Sequence, residues 1–262
     1  LIFDLTPYEK QDLKNLKKME LEGKVRIGLC YIPRFENVSK NDKEISLILN
    51  RKRVLKKIEH EAFDGDLCFS GLGVLKISDL MDSGTFEAMM FNGIKDFSEK
   101  YACPIVIDLE YKNHQSEVIE WLRSNIEDKL KGKTLLINFG FNFTTESKFL
   151  GEDGIVEIKK LSDFSIRKLL KLGFIRIGFS VESISKFLVE LMIFKESNSS
   201  SETNYIDSVV LTPGIQYKTD MKEYGGPGFS IINDIYEEIR VYESEKKKLF
   251  KENLLGIFNW WV

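Results

Sequence analysis

Short, unbroken apolar runs recur along this chain: Leu1–Leu5, Val25–Ile32, Leu67–Phe69, Ile105–Leu109, Leu135–Phe139, Ile175–Phe179 and Val209–Leu211. A strand that is apolar on both faces must be covered on both sides, as parallel strands are. Between the runs, apolar residues fall at helical spacing. Phe86, Met89, Met90, Phe97 and Tyr101 form one stripe; Val118, Leu122, Ile126 and Leu130 form a second. Ile184, Phe187, Leu188, Leu191 and Met192 form a third, and all three read as core-facing helix. Punctuation agrees, since Gly132 follows the second stripe and a helix is expected from Ser162 to Gly173. Strand and helix thus alternate about seven times, which predicts an α/β fold with a parallel sheet, open or closed as a TIM (β/α)8 barrel. The chain opens on an apolar run without a methionine, so the first strand of such a barrel is expected to be absent from this sequence or replaced.

A length of 262 residues suits one barrel or two small domains. Two stretches interrupt the rhythm, Asn142–Lys160 and the serine-rich Glu196–Asn204. Neither has the composition of a domain boundary, so a single domain over 1–262 is expected. A net charge of −3 gives no basic footprint for nucleic acid, and no apolar run reaches the length of a membrane span. Cys30, Cys68 and Cys103 are far apart and lie in or beside apolar runs. They read as buried, reduced thiols of a cytoplasmic protein, without the close pairs of a zinc cluster. His60 and His114 sit among polar residues and read as surface. The basic runs at Arg51–Arg53 and Lys246–Lys248 are interleaved with glutamates and read as solvated helix faces. The aromatic Phe258–Trp261 is expected to pack under the fold or against a second copy, which makes a homodimer an expectation.

Three segments carry a family resemblance. The opening IFDLTPYEKQDLKNLKKMELEGKVRIGLCYI, the central YACPIVIDLEY and the late IQYKTDMKEYGGPGFSII follow one another at matching spacing. Together they resemble the phosphotriesterase family, including phosphotriesterase-related proteins, of the amidohydrolase superfamily. Lys218 with YGGPGF is the most specific part. The resemblance implies a barrel whose site opens at the C-terminal ends of the strands. It also implies two zinc ions that activate a water for hydrolysis of esters, lactones or phosphoesters. The family's ligands are a His-x-His on the first strand, a lysine or glutamate on the fourth, one histidine each on the fifth and sixth, and an aspartate ending the eighth.

Carried over residue by residue, the resemblance puts Gly71 of SGLG at the fourth-strand position, Asp108 at the fifth and Asn138 at the sixth. Pro213 and Gly214 stand where the eighth strand's His-Asp pair is expected. Glycine and proline have no ligand atoms, and asparagine is a weak zinc ligand. The chemistry implied is therefore a metal site that is lost, with no cofactor expected.

The remaining polar residues near the strand ends keep alternatives open. Asp108 and Glu110 are two apart on an expected strand and would point the same way. With Glu182 they offer oxygen ligands to magnesium or calcium, or they divide acid and base roles. In the plainer reading Asp108 pairs with Arg176 or hydrogen-bonds inside the barrel, and the glutamates are solvated. Lys218 completes the set of candidate mouth residues. The sequence thus predicts a phosphotriesterase-related barrel acting as a pseudoenzyme, with an unknown small molecule or protein as partner. An active metal-dependent hydrolase with a rebuilt oxygen-rich site is the alternative.

Overall fold

The computed structural model describes residues 2–4, 27–35, 49–64, 69–110, 115–137, 176–180, 209–212, 236–237 and 243–257. Seven strands form one sheet: β1 (Ile2–Asp4), β2 (Ile27–Tyr31), β3 (Gly71–Lys76), β4 (Ile105–Asp108), β5 (Thr134–Ile137), β6 (Arg176–Ser180) and β7 (Val209–Thr212). They lie in chain order, and every neighbouring pair is parallel. Helix α1 (Arg51–Phe63) links β2 to β3. The short α2 (Ile77–Met81) and the long α3 (Phe86–Tyr101) link β3 to β4. Helices α4 (Gln115–Asn125) and α5 (Asp128–Lys131) link β4 to β5. This is the expected repeating βα architecture. One strand lies further along the chain than its apolar run suggested. Leu67–Phe69 precedes the third strand, and β3 is Gly71–Lys76. Phe69 is buried and stacks on Tyr31 at 5.0 Å, so its apolar character serves the core from outside the strand.

Alternation along the strands sorts the interior into two faces. Leu72, Leu75, Ile105, Ile107 and Leu136 share a cluster with Val54 and Ile58 of α1, Ile94 and Phe97 of α3, and Leu122 of α4. Residues at the intervening positions, Val106, Leu135 and Ile137, join Cys30, Val210 and the half-buried Val74 in a second cluster. The first is the contact of sheet with helices, and the second is the sheet's inner face. Burying a side chain of the Ile or Leu size contributes about 1.5–3 kcal/mol, so the paired faces supply the drive for the β3–β4–β5 centre.

The helices start where local chemistry permits. The Asn50 side chain accepts the Arg53 N–H at 3.1 Å, and the Thr85 hydroxyl accepts the Ala88 N–H at 3.2 Å, satisfying donors that a helix start leaves unpaired. Met90, Phe91, Ile94 and Phe97 are buried on α3, whereas Phe86 in its first turn is 43% exposed; the stripe runs off the core at the helix start. Val118, Leu122, Ile126 and Leu130 are all buried, although the helix is interrupted between α4 and α5. His60 is exposed beside Asp64, and Arg51, Lys52 and Arg53 are exposed, with Arg51 paired to Asp96. Cys30 and Cys103 are buried and not in disulfides. Cys68, His114, the third stripe, the Ser162–Gly173 segment and the aromatic tail lie outside the described residues. Among the described residues no helix is long and apolar enough to cross a membrane.

Candidate functional site

In parallel α/β sheets the loops leaving the C-terminal strand ends gather the chemistry. Here those ends are Asp4, Tyr31, Lys76, Asp108, Ile137, Ser180 and Thr212. Lys76 stands in register with Asp108, Asp108 with Ile137, and Ser180 with Thr212. Gly71 lies at the opposite end of β3, in register with Cys30. The residue that β3 brings to the mouth is therefore Lys76.

A bulge in β3 decides this. Leu72 pairs with Ile105 and Leu75 with Ile107, so Gly73 and Val74 together oppose Val106. Without the extra residue, Leu75 would stand opposite Asp108. Gly73 makes the bulge possible, because its φ of +133° is rarely open to L side chains. A Cβ there would lie 2.4 Å from the Val106 carbonyl oxygen. Bulges re-aim a strand's side chains in just this way. Val74 and Val106 belong to the inner-face cluster, and Lys76 and Asp108, two residues further on, follow them on that face.

Asp108 and Glu110 are brought together, but not as two like-facing residues of a strand. Strand β4 ends at Asp108, and Glu110 takes a left-handed φ of 54° in the turn beyond it. The Glu110 N–H donates to Asp108 Oδ1 at 2.8 Å, an Asp-stabilised turn that tolerates this backbone. Glu110 then reaches back to the neighbouring crossover. Its Oε2 accepts the Ser78 N–H at 3.1 Å, and its Oε1 lies 3.9 Å from Lys76 Nζ. The Glu110 side chain is 19% exposed and that of Lys76 59%. The hydrogen bond ties the end of β4 to the first turn of α2, while an ion pair this wet adds no more than about 1 kcal/mol.

Lys76 and Ser78 were missed from the sequence, where the glycines of SGLG read as a strand's end. The available signal was a charged residue closing the apolar GLGVLK. Arg176 stands in register with Leu135, whose β4 partner is Val106, two residues short of Asp108. Asn138 follows Ile137, and Pro213 and Gly214 follow Thr212, directly outside the described residues; Glu182 and Lys218 also lie outside them.

A catalytic zinc takes about three protein ligands. The described strand ends and the β4 turn offer three carboxylates, Asp4, Asp108 and Glu110, with one ammonium, Lys76, and no imidazole. One carboxylate, Glu110, is engaged by Ser78 and Lys76. Among the described residues no three His, Cys, Asp or Glu side chains are grouped to hold a metal ion. These donors do not fit a two-zinc centre.

No protein-family model matches the chain, and no curated protein matches it by sequence. Solved structures do. A phosphotriesterase homology protein from Escherichia coli, with phosphate in its active site, aligns at 13% identity and a TM-score of 0.64 over 98% of this chain and 82% of its own. A lactonase from Listeria monocytogenes aligns at 13% identity and a TM-score of 0.64, over 98% and 80%. A triple mutant of organophosphorus hydrolase from Deinococcus radiodurans aligns at 13% identity and a TM-score of 0.62, over 98% and 78%. At this identity the likeness establishes the fold alone, that of phosphotriesterase-like barrels, which the resemblance anticipated. The βα repeat anticipated a parallel sheet, open or closed, and among the described residues β1 and β7 are not paired to close it.

Proposed function

We propose that the chain is a divergent phosphotriesterase-family barrel that has lost the two-zinc centre and hydrolysis, and that it acts by binding a small molecule or a protein partner. The observation that carries this reading is the commitment of Glu110. Its carboxylate accepts the Ser78 N–H and faces Lys76, and Asp108 accepts the Glu110 N–H. Asp108 and Glu110 thus hold the β4 turn against α2, a structural role that orients both carboxylates within the protein. Fold-level kinship transfers no activity when the site chemistry differs.

A second reading, an active metal-dependent hydrolase with a rebuilt site, draws support from Lys76. The resemblance assigns a lysine or glutamate to the fourth strand, and Lys76 stands at that strand's end in register with Asp108. The phosphotriesterase homology protein, the lactonase and the organophosphorus hydrolase that share the fold supply the substrates to try.

One preparation separates the two. Elemental analysis of purified protein, followed by assays on aryl esters, lactones and phosphotriesters with and without added zinc or manganese, is expected to show neither stoichiometric metal nor turnover. A full equivalent of metal per chain, with turnover that disappears in Asp108→Ala and Lys76→Ala, would overturn the binding reading.

A further inference from the structure

We infer that the last described helical turns, Asn253–Ile257, are a separable plug over the inner face of the sheet, covering the apolar cluster behind the candidate mouth. They end a segment that consists of α6 (Glu243–Lys247), a π-helical turn (Lys248–Glu252) and α7 (Asn253–Ile257), continuous in the chain. It buries one stripe at every fourth residue: Glu245, Leu249, Asn253 and Ile257. On an α-helix of 3.6 residues per turn such a stripe drifts by about 40° at each step. The wider π turn takes up part of that drift, keeping the stripe inward across the whole segment.

The stripe bridges the two faces of the fold. Leu249 belongs to the cluster between sheet and helices, with Phe250 against it, whereas Ile257 belongs to the inner-face cluster, with Leu254 against it. The π turn and α7 run beside β7. Ile257 therefore shares an apolar cluster with Cys30 of β2, Val106 of β4, Leu135 and Ile137 of β5, and Val210 of β7. Ile137 stands in register with Asp108, so this cluster reaches the strand ends that carry the mouth residues. Next to Ile257, Leu255 is 39% exposed, so the plug is one-sided. A short helix held on that face by Leu254 and Ile257 opens more readily than the paired strands beneath it.

The two buried thiols report on this motion independently of any activity. Cys30 shares the inner-face cluster with Ile257, while Cys103 lies in the cluster on the helix side. Both are nearly inaccessible, at 1% and 0% exposed. The experiment is labelling of the full chain with N-ethylmaleimide, with peptide mapping of each cysteine and each rate divided by that of the same thiol in denatured protein. In wild type at urea concentrations below the unfolding transition, Cys30 is expected to label at least about 10-fold faster than Cys103. Ile257→Ala is expected to raise the Cys30 rate by about 30-fold or more and to leave Cys103 unchanged, and Leu255→Ala to move neither. Equal labelling of the two thiols in wild type, or a parallel rise of both in Ile257→Ala, would mean that the helix opens only with the whole fold and would overturn the inference. The wild-type comparison decides the matter even if the variant fails to fold.

Discussion

Replacing Gly73 by alanine tests the feature that sets the candidate mouth. The backbone there has φ +133°, a region that costs a side-chain-bearing residue about 1–3 kcal/mol. The added Cβ would also meet the Val106 carbonyl oxygen at 2.4 Å, inside the 3.0 Å that real Cβ atoms keep. Val106 cannot easily retreat, since β4 is paired with β3 on one side and β5 on the other. Forced displacement in a packed interior adds about 1–3 kcal/mol, giving a total of about 4 kcal/mol and a fall in Tm of about 8–16 °C for a chain of this size. The control is Gly84→Ala, whose Cβ would meet only the tip of the Asp82 side chain, at 3.3 Å; a change of under about 0.5 kcal/mol is expected. Thermal and urea unfolding by circular dichroism measures both. A Gly73→Ala protein melting within about 2 °C of wild type would refute the bulge, and with it the pairing of Lys76 with Asp108.

Glu110→Ala removes the acceptor of the Ser78 N–H and is expected to lower stability by about 1–2 kcal/mol, read from the urea midpoint; no change would undercut the tying role assigned to this carboxylate. Gly93→Ala would set a Cβ 2.5 Å from Val54 Cβ between α3 and α1, and a loss of about 1–3 kcal/mol is expected; equal stability would mean that the helices are further apart. Burial, reinforced by nearby Cys30, pushes the Cys103 thiol well above the usual thiol range. Above about pH 8.5 the unfolded chain's thiol ionises while the folded one keeps its proton, so stability falls as pH rises, by up to about 1.4 kcal/mol per pH unit. Cys103→Ala is expected to flatten that slope in urea melts between about pH 8 and 10; parallel slopes would contradict it. Lys100 and Tyr101 donate to Glu59 at 2.7 and 2.8 Å and hold its carboxyl below the usual range. Its stabilising share is complete above about pH 4.3 and lost as pH falls through the lowered value, so Glu59→Gln is expected to show a shallower acid limb of stability against pH.

The sequence by itself determined the architecture, because burial on both faces of a strand leaves a continuous apolar run. Ile105–Ile107 and Leu135–Ile137 carry that signature, and each forms part of a central parallel strand. Helical stripes such as Val118, Leu122, Ile126 and Leu130 were equally legible, since a core-facing helix repeats its apolar residues every three or four positions. The sequence also marked Asp108 and Glu110, the two carboxylates near the end of β4. Register was not legible there. One extra residue in a strand moves every later side chain to the other face, and SGLG shows no period that reveals a bulge at Gly73. Only the pairing of β3 with β4 decided that Gly71 begins its strand far from the mouth and that Lys76 ends it beside Asp108. The same holds for Glu110, whose carboxylate meets Ser78 across 32 residues of chain. Local composition records what must be buried, whereas contacts between distant segments exist only once the sheet has fixed their alignment.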